Sequence, residues 1–99
     1  MASSTAIATG ALASGSTTTV LSGRGYLNSL QVITDGTNAG TITVYDNTAG
    51  SGKVIAVLTV LGASIYGDFT PVFALRCDIG LTFVVSGTGA TAYAAFGAT

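Results

Sequence analysis

Residues 47–54 come closest to a motif that performs chemistry, because they resemble a phosphate-binding loop. That loop requires G-x-x-x-x-G-K-[ST] at the start of a helix, where backbone N–H groups surround the phosphate. Gly52 and Lys53 match, but Asn47 stands at the first glycine position and Val54 at the hydroxyl position. Because a β-branched run follows instead of a helix, the segment is predicted to be a hairpin turn.

Two further near-matches also read as turns. Residues 87–92 fit G-x-G-x-x-A, but residues 93–99 provide neither the helix nor the ribose-binding carboxylate of a dinucleotide site. Asp35-Gly36-Thr37 contains the residue types of a dimeric acid protease, in which two carboxylates share a proton. That site has the order Asp-Thr-Gly, so Asp-Gly-Thr is interpreted as a turn.

Other catalytic and metal-binding arrangements lack the necessary residue types. The sequence contains no His, so neither Ser nor Cys77 has an imidazole to activate it, and Lys53 is the one conceivable base. Cys77 is predicted to be a small buried hydrophobe. The four Asp are too far apart for a calcium loop. We therefore predict no enzymatic activity, no cofactor, and no catalytic, cofactor-binding or metal-binding residues.

The remaining polar and aromatic candidates have structural interpretations. Asp46 and Lys53 flank the same predicted hairpin and could pair across it. For all four carboxylates, the favoured role is to be solvated or to cap a hairpin. Tyr45 and Tyr66 are expected to face outward. A sugar-stacking surface is one interpretation of these tyrosines, and contact at a subunit interface is the favoured one.

The composition is unusual for its low charge. Charged residues make up 7% of the 99 residues, against about 25% in ordinary soluble domains. With three basic and four acidic residues, the chain cannot form a basic stripe, so no nucleic-acid partner is expected. The mean hydropathy is +0.67. Even so, no membrane span is expected, because Thr59 and Gly62 interrupt the longest apolar run, residues 54–63. Residues 1–15 contain no Lys or Arg and are not predicted to be a secretory signal.

The elements that must position these residues are predicted to be short strands separated by Gly-rich turns. Val, Ile, Thr, Tyr and Phe fill runs at the spacing of an all-β sandwich or barrel. The predicted strands are residues 18–21, 26–34, 41–45, 53–60, 65–68, 72–76, 81–86 and 91–96, with Pro71 opening the strand at 72–76. The predicted fold is a compact antiparallel β-sandwich, jelly-roll-like, with a short extended N-terminal arm.

Alternation along two strands predicts which side chains form the core. Ile42 and Val44 share one face of their strand, and Leu81, Phe83 and Val85 share one face of another. Residues 54–61 are apolar on both faces, so they are predicted to form a central strand that is covered on both sides. Residues 1–16 are predicted to be an N-terminal assembly arm, and residues 17–99 the β-sandwich domain.

The low charge leads to a hypothesis about assembly. Charged side chains on edge strands disfavour edge-to-edge association. With seven charged residues, the chain can protect only a small part of its strand edges in this way. We therefore expect an obligate assembly in which neighbouring subunits or a larger partner cover the edges and apolar patches.

Three stretches carry a family resemblance: residues 25–32, residues 40–55 and residues 80–89. They contain a strand that ends in Tyr45-Asp46, a Gly/Ser hairpin and a late strand that begins Gly80-Leu81. This pattern resembles small β-sandwich virion proteins of tailed bacteriophages over residues 23–96, and leaves residues 1–22 outside.

The resemblance implies a structural role on the virion. Its closest form is a head decoration, or cement, protein that binds the outer capsid surface as a homo-oligomer, a trimer being favoured. The implied partner is the major capsid protein, whose neighbouring subunits it would bridge, and the N-terminal arm would clasp neighbours. The alternatives are a tail or fibre component that binds a host receptor or glycan and, less favoured, a small protease subunit.

Overall fold

The computed structural model describes residues 6–99, and antiparallel strands make up most of this part of the chain. A single 3-10 turn, Gly62–Ser64, precedes the seventh strand. The strands are β1 (Ile7–Ala8), β2 (Leu12–Ala13), β3 (Thr17–Ser22), β4 (Gly25–Ile33), β5 (Gly40–Asp46), β6 (Lys53–Val60), β7 (Tyr66–Phe69), β8 (Leu75–Cys77), β9 (Gly80–Ser86) and β10 (Thr91–Ala98).

The strands form two sheets whose pairing is nested. In sheet I the order is β1/β2, β10, β4 and β7/β8, because β1 and β2 both pair with β10 and both β7 and β8 pair with β4. In sheet II the order is β3, β9, β5 and β6. If β1/β2 and β7/β8 each count as one interrupted strand, the chain has eight strands. The first of these eight then pairs with the eighth, the second with the seventh, the third with the sixth and the fourth with the fifth. This is the arrangement of a jelly roll, so the predicted antiparallel β-sandwich is confirmed.

The core lies between the sheets and consists of the inward faces of these strands. The predicted core residues Ile42, Val44, Leu81 and Phe83 are fully buried, and Val85 is 1% exposed. Residues from sheet I complete the core: Leu12, Leu27, Leu30, Val32, Cys77, Ala92, Ala94 and Phe96. Alternation was enough to predict the inward faces of β5 and β9, because each of these strands has one side on the core.

The prediction of a central strand at residues 54–61 is wrong. Within the described residues, β6 is the edge strand of sheet II and pairs with β5 alone. Its inner face packs on the core through Val60 and Leu58, while Val57 on its outer face is 57% exposed. Two apolar faces therefore do not identify a central strand here, because hydropathy does not report whether the outer face is covered.

The strand predicted at residues 72–76 is also different in the structure. β8 begins at Leu75, and Pro71 lies in a loop instead of opening a strand. The pairing of Phe69 with Leu30 and of Leu75 with Leu27 leaves residues 70–74 opposite only two residues of β4. The surplus residues bulge away from the sheet.

Part of the predicted arm belongs to the sandwich. Ile7 and Ala8 pair with the end of β10, and Leu12 and Ala13 pair with its beginning. The Thr9 N–H donates to the Ala94 carbonyl at 2.9 Å between the two pairs, and Leu12 is buried. Residues 1–5 of the predicted arm lie outside the described residues, and the role of the arm in assembly stays a prediction.

Candidate functional site

The segment that resembles a phosphate-binding loop is the hairpin turn between β5 and β6. It leads into a strand, so no helix terminus is present to receive a phosphate. The Asn47 side chain organises the turn, because its amide donates to the Ser51 carbonyl at 2.9 Å and its oxygen accepts from the Thr48 N–H at 2.8 Å. Gly52 adopts φ +98°, which favours glycine. The predicted hairpin is confirmed.

The segment 87–92 likewise connects β9 to β10 and continues into a strand. Gly87 and Gly89 adopt φ values of +106° and +76°, and a side chain at Gly87 would collide with the Ala39 carbonyl. These glycines serve a tight connection between strands.

Asp35 organises the turn between β4 and β5. Its Oδ1 accepts hydrogen bonds from the N–H groups of Asn38 and Thr37, at 2.7 and 2.8 Å. These two donors, together with the Asn38 side chain, hold the pKa of Asp35 below its ordinary value. The carboxylate caps its own turn, as the order Asp-Gly-Thr predicts.

Asp46 caps a turn, as one of the two roles expected of the carboxylates, but it is buried and the turn is the one from β8 to β9, not its own hairpin. The side chain is 5% exposed, and its Oδ1 accepts from the N–H groups of Asp78, Ile79 and Gly80 at 3.1, 2.8 and 3.3 Å. Burial works to raise its pKa, but the three N–H donors outweigh burial. With the positive charge of Lys53, they hold the pKa below its ordinary value. Asp46 thus fixes the turn from β8 to β9.

Asp46 and Lys53 are cross-strand neighbours, but within the described residues they do not form the ion pair that the sequence allowed. The two residues face each other in the β5–β6 register. Among residues 6–99, the ion pair within 4 Å is the one between Arg76 Nε and Asp78 Oδ1, at 3.2 Å on the surface.

Cys77 is buried in the core, as predicted. Burial, together with the negative charge of Asp46, raises the pKa of the thiol. A thiol with a raised pKa is a poor nucleophile at neutral pH. Within residues 6–99, no three His, Cys, Asp or Glu side chains lie close enough together to hold a metal ion.

The outer face of sheet I carries a small polar and aromatic cluster. Tyr93, Gln31 and Asp68 are consecutive cross-strand neighbours on β10, β4 and β7. Gln31 Nε2 donates to the Tyr66 hydroxyl at 3.0 Å, and that hydroxyl lies 3.4 Å from Asp68 Oδ2. The depression beside the cluster has a volume of about 170 Å³. This is smaller than the roughly 300–1,000 Å³ of typical ligand sites.

Of the two tyrosines predicted to face outward, Tyr66 belongs to this cluster and is exposed. Tyr45 lies on the outer face of sheet II and is half-buried. The structure therefore separates the two tyrosines onto opposite sheets.

The largest unusual surface is the flank formed by β6, β7 and β8 with residues 61–65 and 70–74, which we call the β6–β8 flank. Residues 54–73 contain eight of the twelve large hydrophobic side chains that are exposed in the described part of the chain. The one charged residue in this range is Asp68. The most exposed are Val72 at 93%, Phe73 at 83% and Leu61 at 68%. Sequence reasoning missed the loop at Val72 and Phe73 because it placed a strand there.

One residue of the β6–β8 flank has an uncommon backbone conformation. Ile65 adopts φ +65°, a region that β-branched residues avoid, and its side chain is 54% exposed. The Thr34 N–H donates to its carbonyl at 2.6 Å, and its own N–H donates to the Gly62 carbonyl at 3.2 Å. These two hydrogen bonds hold the backbone of Ile65 in this conformation, and its apolar side chain remains exposed to solvent.

Comparisons with protein-family models, with curated proteins and with solved structures gave no match to this chain. Within the described residues, no helix has the length and apolar character needed to cross a membrane.

Proposed function

We propose that the chain is a structural virion protein of a bacteriophage, a head decoration (cement) protein on the outer capsid surface. It would bind there as a homo-oligomer and stabilise contacts between neighbouring coat subunits. The observation that carries the proposal is the β6–β8 flank. There the edge of β6, unpaired among the described residues, lies beside the exposed apolar side chains of residues 54–73, whose one charged residue is Asp68. Surfaces of this kind mark interaction sites in soluble proteins.

The fold is compatible with the proposal at the level of analogy. Jelly rolls occur in viral capsid proteins, and also in lectins and cupins, so the topology alone selects none of these functions. The family resemblance over residues 23–96 favours the virion role among them. The structural use of Asp35, Asp46 and Cys77 is also in keeping with a protein that acts by binding.

A cement protein of this kind would work without bond chemistry. Burial of apolar surface stabilises a joint by about 25 cal/mol per Å², and an open strand edge adds backbone hydrogen bonds. Because many copies act on one particle, a modest contribution at each joint is enough to resist internal pressure. The low charge of residues 54–73 makes such a joint insensitive to salt, since screening acts on charges.

The test compares particles assembled with and without the protein. Particles that lack it are expected to assemble but to lose DNA or coat subunits at a lower temperature, as followed by dye release on heating. Electron microscopy of particles that contain it should place copies over the head. Equal heat resistance of the two kinds of particle would contradict the cement role, and copies confined to the tail would contradict the location.

A second candidate function is a tail or fibre component that binds a host glycan. The observation in its favour is the cluster of Gln31, Tyr66, Asp68 and Tyr93, which offers aromatic faces, an amide and a carboxylate on one surface. Glycan-array binding that is lost in Tyr93→Ala and kept in Tyr45→Ala would support it. If the intact protein binds no glycan on the array, the glycan-binding function is contradicted.

A further inference from the structure

We propose that β6 pairs antiparallel with β6 of a second copy of the chain across a twofold axis. The two four-stranded sheets II would then form one continuous eight-stranded sheet. The inference deepens the assembly part of the proposed function and is independent of the location on a virion.

The first support is the state of the four edges of the sandwich. β1/β2 is interrupted at residues 9–11, β7/β8 is interrupted at residues 70–74, and β3 contains an irregularity between Thr19 and Leu21. β6 has one extra residue, Ile55, after which residues 56–60 pair with β5 without a break. Among the described strands, these five residues are therefore the longest regular open edge, and such an edge is a ready template for another strand.

The second support is that this segment complements itself. If Leu58 faces Leu58 of the second copy, antiparallel pairing places Val57 opposite Thr59 of that copy on the outer face. On the inner face it places the small Ala56 opposite Val60. Ala56, Leu58 and Val60 already pack on or within the core, so the pairing would extend the core of one copy into that of the other. Residues directly opposite each other in a sheet share a face, as this register requires.

The third support is the placement of charge. Residues 56–60 are uncharged, and the one charged residue of β6 is Lys53 at its start. In an antiparallel pair the two Lys53 side chains lie at opposite ends of the joint, roughly 30 Å apart. Like charges therefore never face each other across the edge.

The rest of the flank gives this joint a larger apolar area. β6 and β7 are in contact, so the loop with Val72 and Phe73 emerges on the same side of the molecule as the open edge. We expect these exposed side chains to contact a second copy seated on β6.

The edges also determine the symmetry of the contact. A twofold contact uses the same surface on both copies, whereas the contact of a trimer joins two different surfaces. Because the other three edges are interrupted or irregular, β6 has no equally regular partner except another β6. The geometry thus points to a dimer of the free protein in place of the trimer that the family resemblance implies.

The experiment is a charge pair placed at the two positions that face each other in the proposed register. Val57→Lys with Thr59→Lys puts like charges opposite each other twice, and Val57→Lys with Thr59→Glu puts opposite charges there. Both double variants change exposed positions and both lose the 3.0 Å contact between the Thr59 and Thr41 hydroxyls, so each is the matched control of the other.

Light scattering after size exclusion, over a range of protein concentrations, measures the mass. We expect dimers for the unmodified chain and for the Lys/Glu variant, and at least roughly tenfold weaker dimerisation for the Lys/Lys variant. A monomeric or trimeric unmodified chain would overturn the proposal, as would equal dimerisation of the two variants.

A second measurement does not depend on the folding of any variant. Amide hydrogen exchange of the unmodified chain should show protection of alternate residues within 56–60 that disappears on dilution to nanomolar concentration. Exchange that is independent of concentration would overturn the pairing. A monomer found on the capsid would overturn the pairing and leave the cement role, whereas a dimer absent from particles would do the reverse.

Discussion

The two flanks of the sandwich solve the problem of exposed strand edges in different ways. Opposite the β6–β8 flank lies the β1–β3 flank, formed by β1, β2 and β3 with residues 14–16. Residues 6–22 are uncharged, as are all but one of residues 54–73, so charge does not distinguish the two flanks. The difference is that the β1–β3 flank exposes one large hydrophobic side chain, Ile7, whereas residues 54–73 expose eight.

The β1–β3 flank is closed by its own chain. Leu12 is inserted into the core, and the corner from β2 to β3 is tied to β9 by hydrogen bonds from Gly15 N–H to the Val85 carbonyl and from Val85 N–H to the Ser16 carbonyl. The Ser14 hydroxyl donates to the Gly87 carbonyl in the same corner. The β6–β8 flank has no such closing segment among the described residues. The comparison indicates that one flank contributes to the stability of the subunit and the other is available for contacts outside it.

The largest expected effect comes from the same substitution made on each flank. Leu12→Ala should lower the free energy of unfolding by about 2–4 kcal/mol, because it leaves a cavity among buried side chains. Leu61→Ala, at a position that is 68% exposed, should change the free energy of unfolding of the monomeric subunit by less than about 0.5 kcal/mol. Urea denaturation measures both values. Equal losses at the two positions would contradict the division between a closed and an open flank.

The next effect tests the turn between β8 and β9, which the Asp46 carboxylate holds. Asp46→Ala removes the acceptor of three backbone N–H groups in the turn after β8, and should cost about 1–3 kcal/mol. Asp68→Ala, at an exposed carboxylate of β7, removes the same charge and is the control. A similar loss of stability in both variants, measured by urea denaturation at pH 7, would show that net charge and not the turn is responsible.

The same carboxylate predicts a pH dependence. The folded pKa of Asp46 lies below its unfolded value, which is about 3.9 for a free Asp. Its stabilising contribution is therefore fully present above that unfolded value, and is lost as the pH falls through the lower folded value. The unmodified chain should lose stability between pH 5 and more acidic conditions by more than Asp46→Asn does. Parallel losses in the two proteins would contradict this account.

The parts of the fold that were predictable from sequence are those in which polar and apolar residues alternate along one strand. Ile42 and Val44 lie on a strand with polar outer residues, so the period of two identified their face. Residues 12–13 escaped prediction because Ala, Ser, Thr and Gly dominate their surroundings and give no alternation. Their strand exists because β10 offers a partner, which is a long-range contact.

The two errors on the β6–β8 flank share a different cause. Residues 54–61 have the hydropathy of a central strand, yet what covers their outer face is not encoded in the strand itself. Residues 70–74 have strand-like composition, but the registers of β7 and β8 along β4 leave no room for them in the sheet. The low charge thus predicted that some edge or apolar patch would be available for assembly. Which part of the surface this is depended on the strand topology, which the sequence did not reveal.

A smaller effect is expected from the strained residue of the β6–β8 flank. Ile65→Gly relieves a positive φ that a β-branched residue avoids, and loses a side chain that is 54% exposed. Because such strain costs about 1–3 kcal/mol and glycine costs part of this in unfolded-state entropy, the net gain in stability should be up to about 1 kcal/mol. Ile33→Gly, at a partly exposed position within β4, should be destabilising. A loss of stability in both variants would contradict the assignment of strain to Ile65.

The smallest effect on stability is expected at the most prominent side chains of the molecule. Val72→Ser with Phe73→Ser changes two residues that are 93% and 83% exposed. In the monomeric subunit, the free energy of unfolding should therefore stay within about 0.5 kcal/mol of its original value. Binding of an apolar fluorescent dye to the folded protein should nevertheless fall. The control is the same treatment of Ile7→Ser, the one exposed large side chain of the β1–β3 flank, which should leave most dye binding intact. If the double variant unfolds more easily and binds dye as before, the loop supports the fold of its own subunit. If stability is unchanged and dye binding falls, these side chains contribute little within the subunit and are available for contacts outside it.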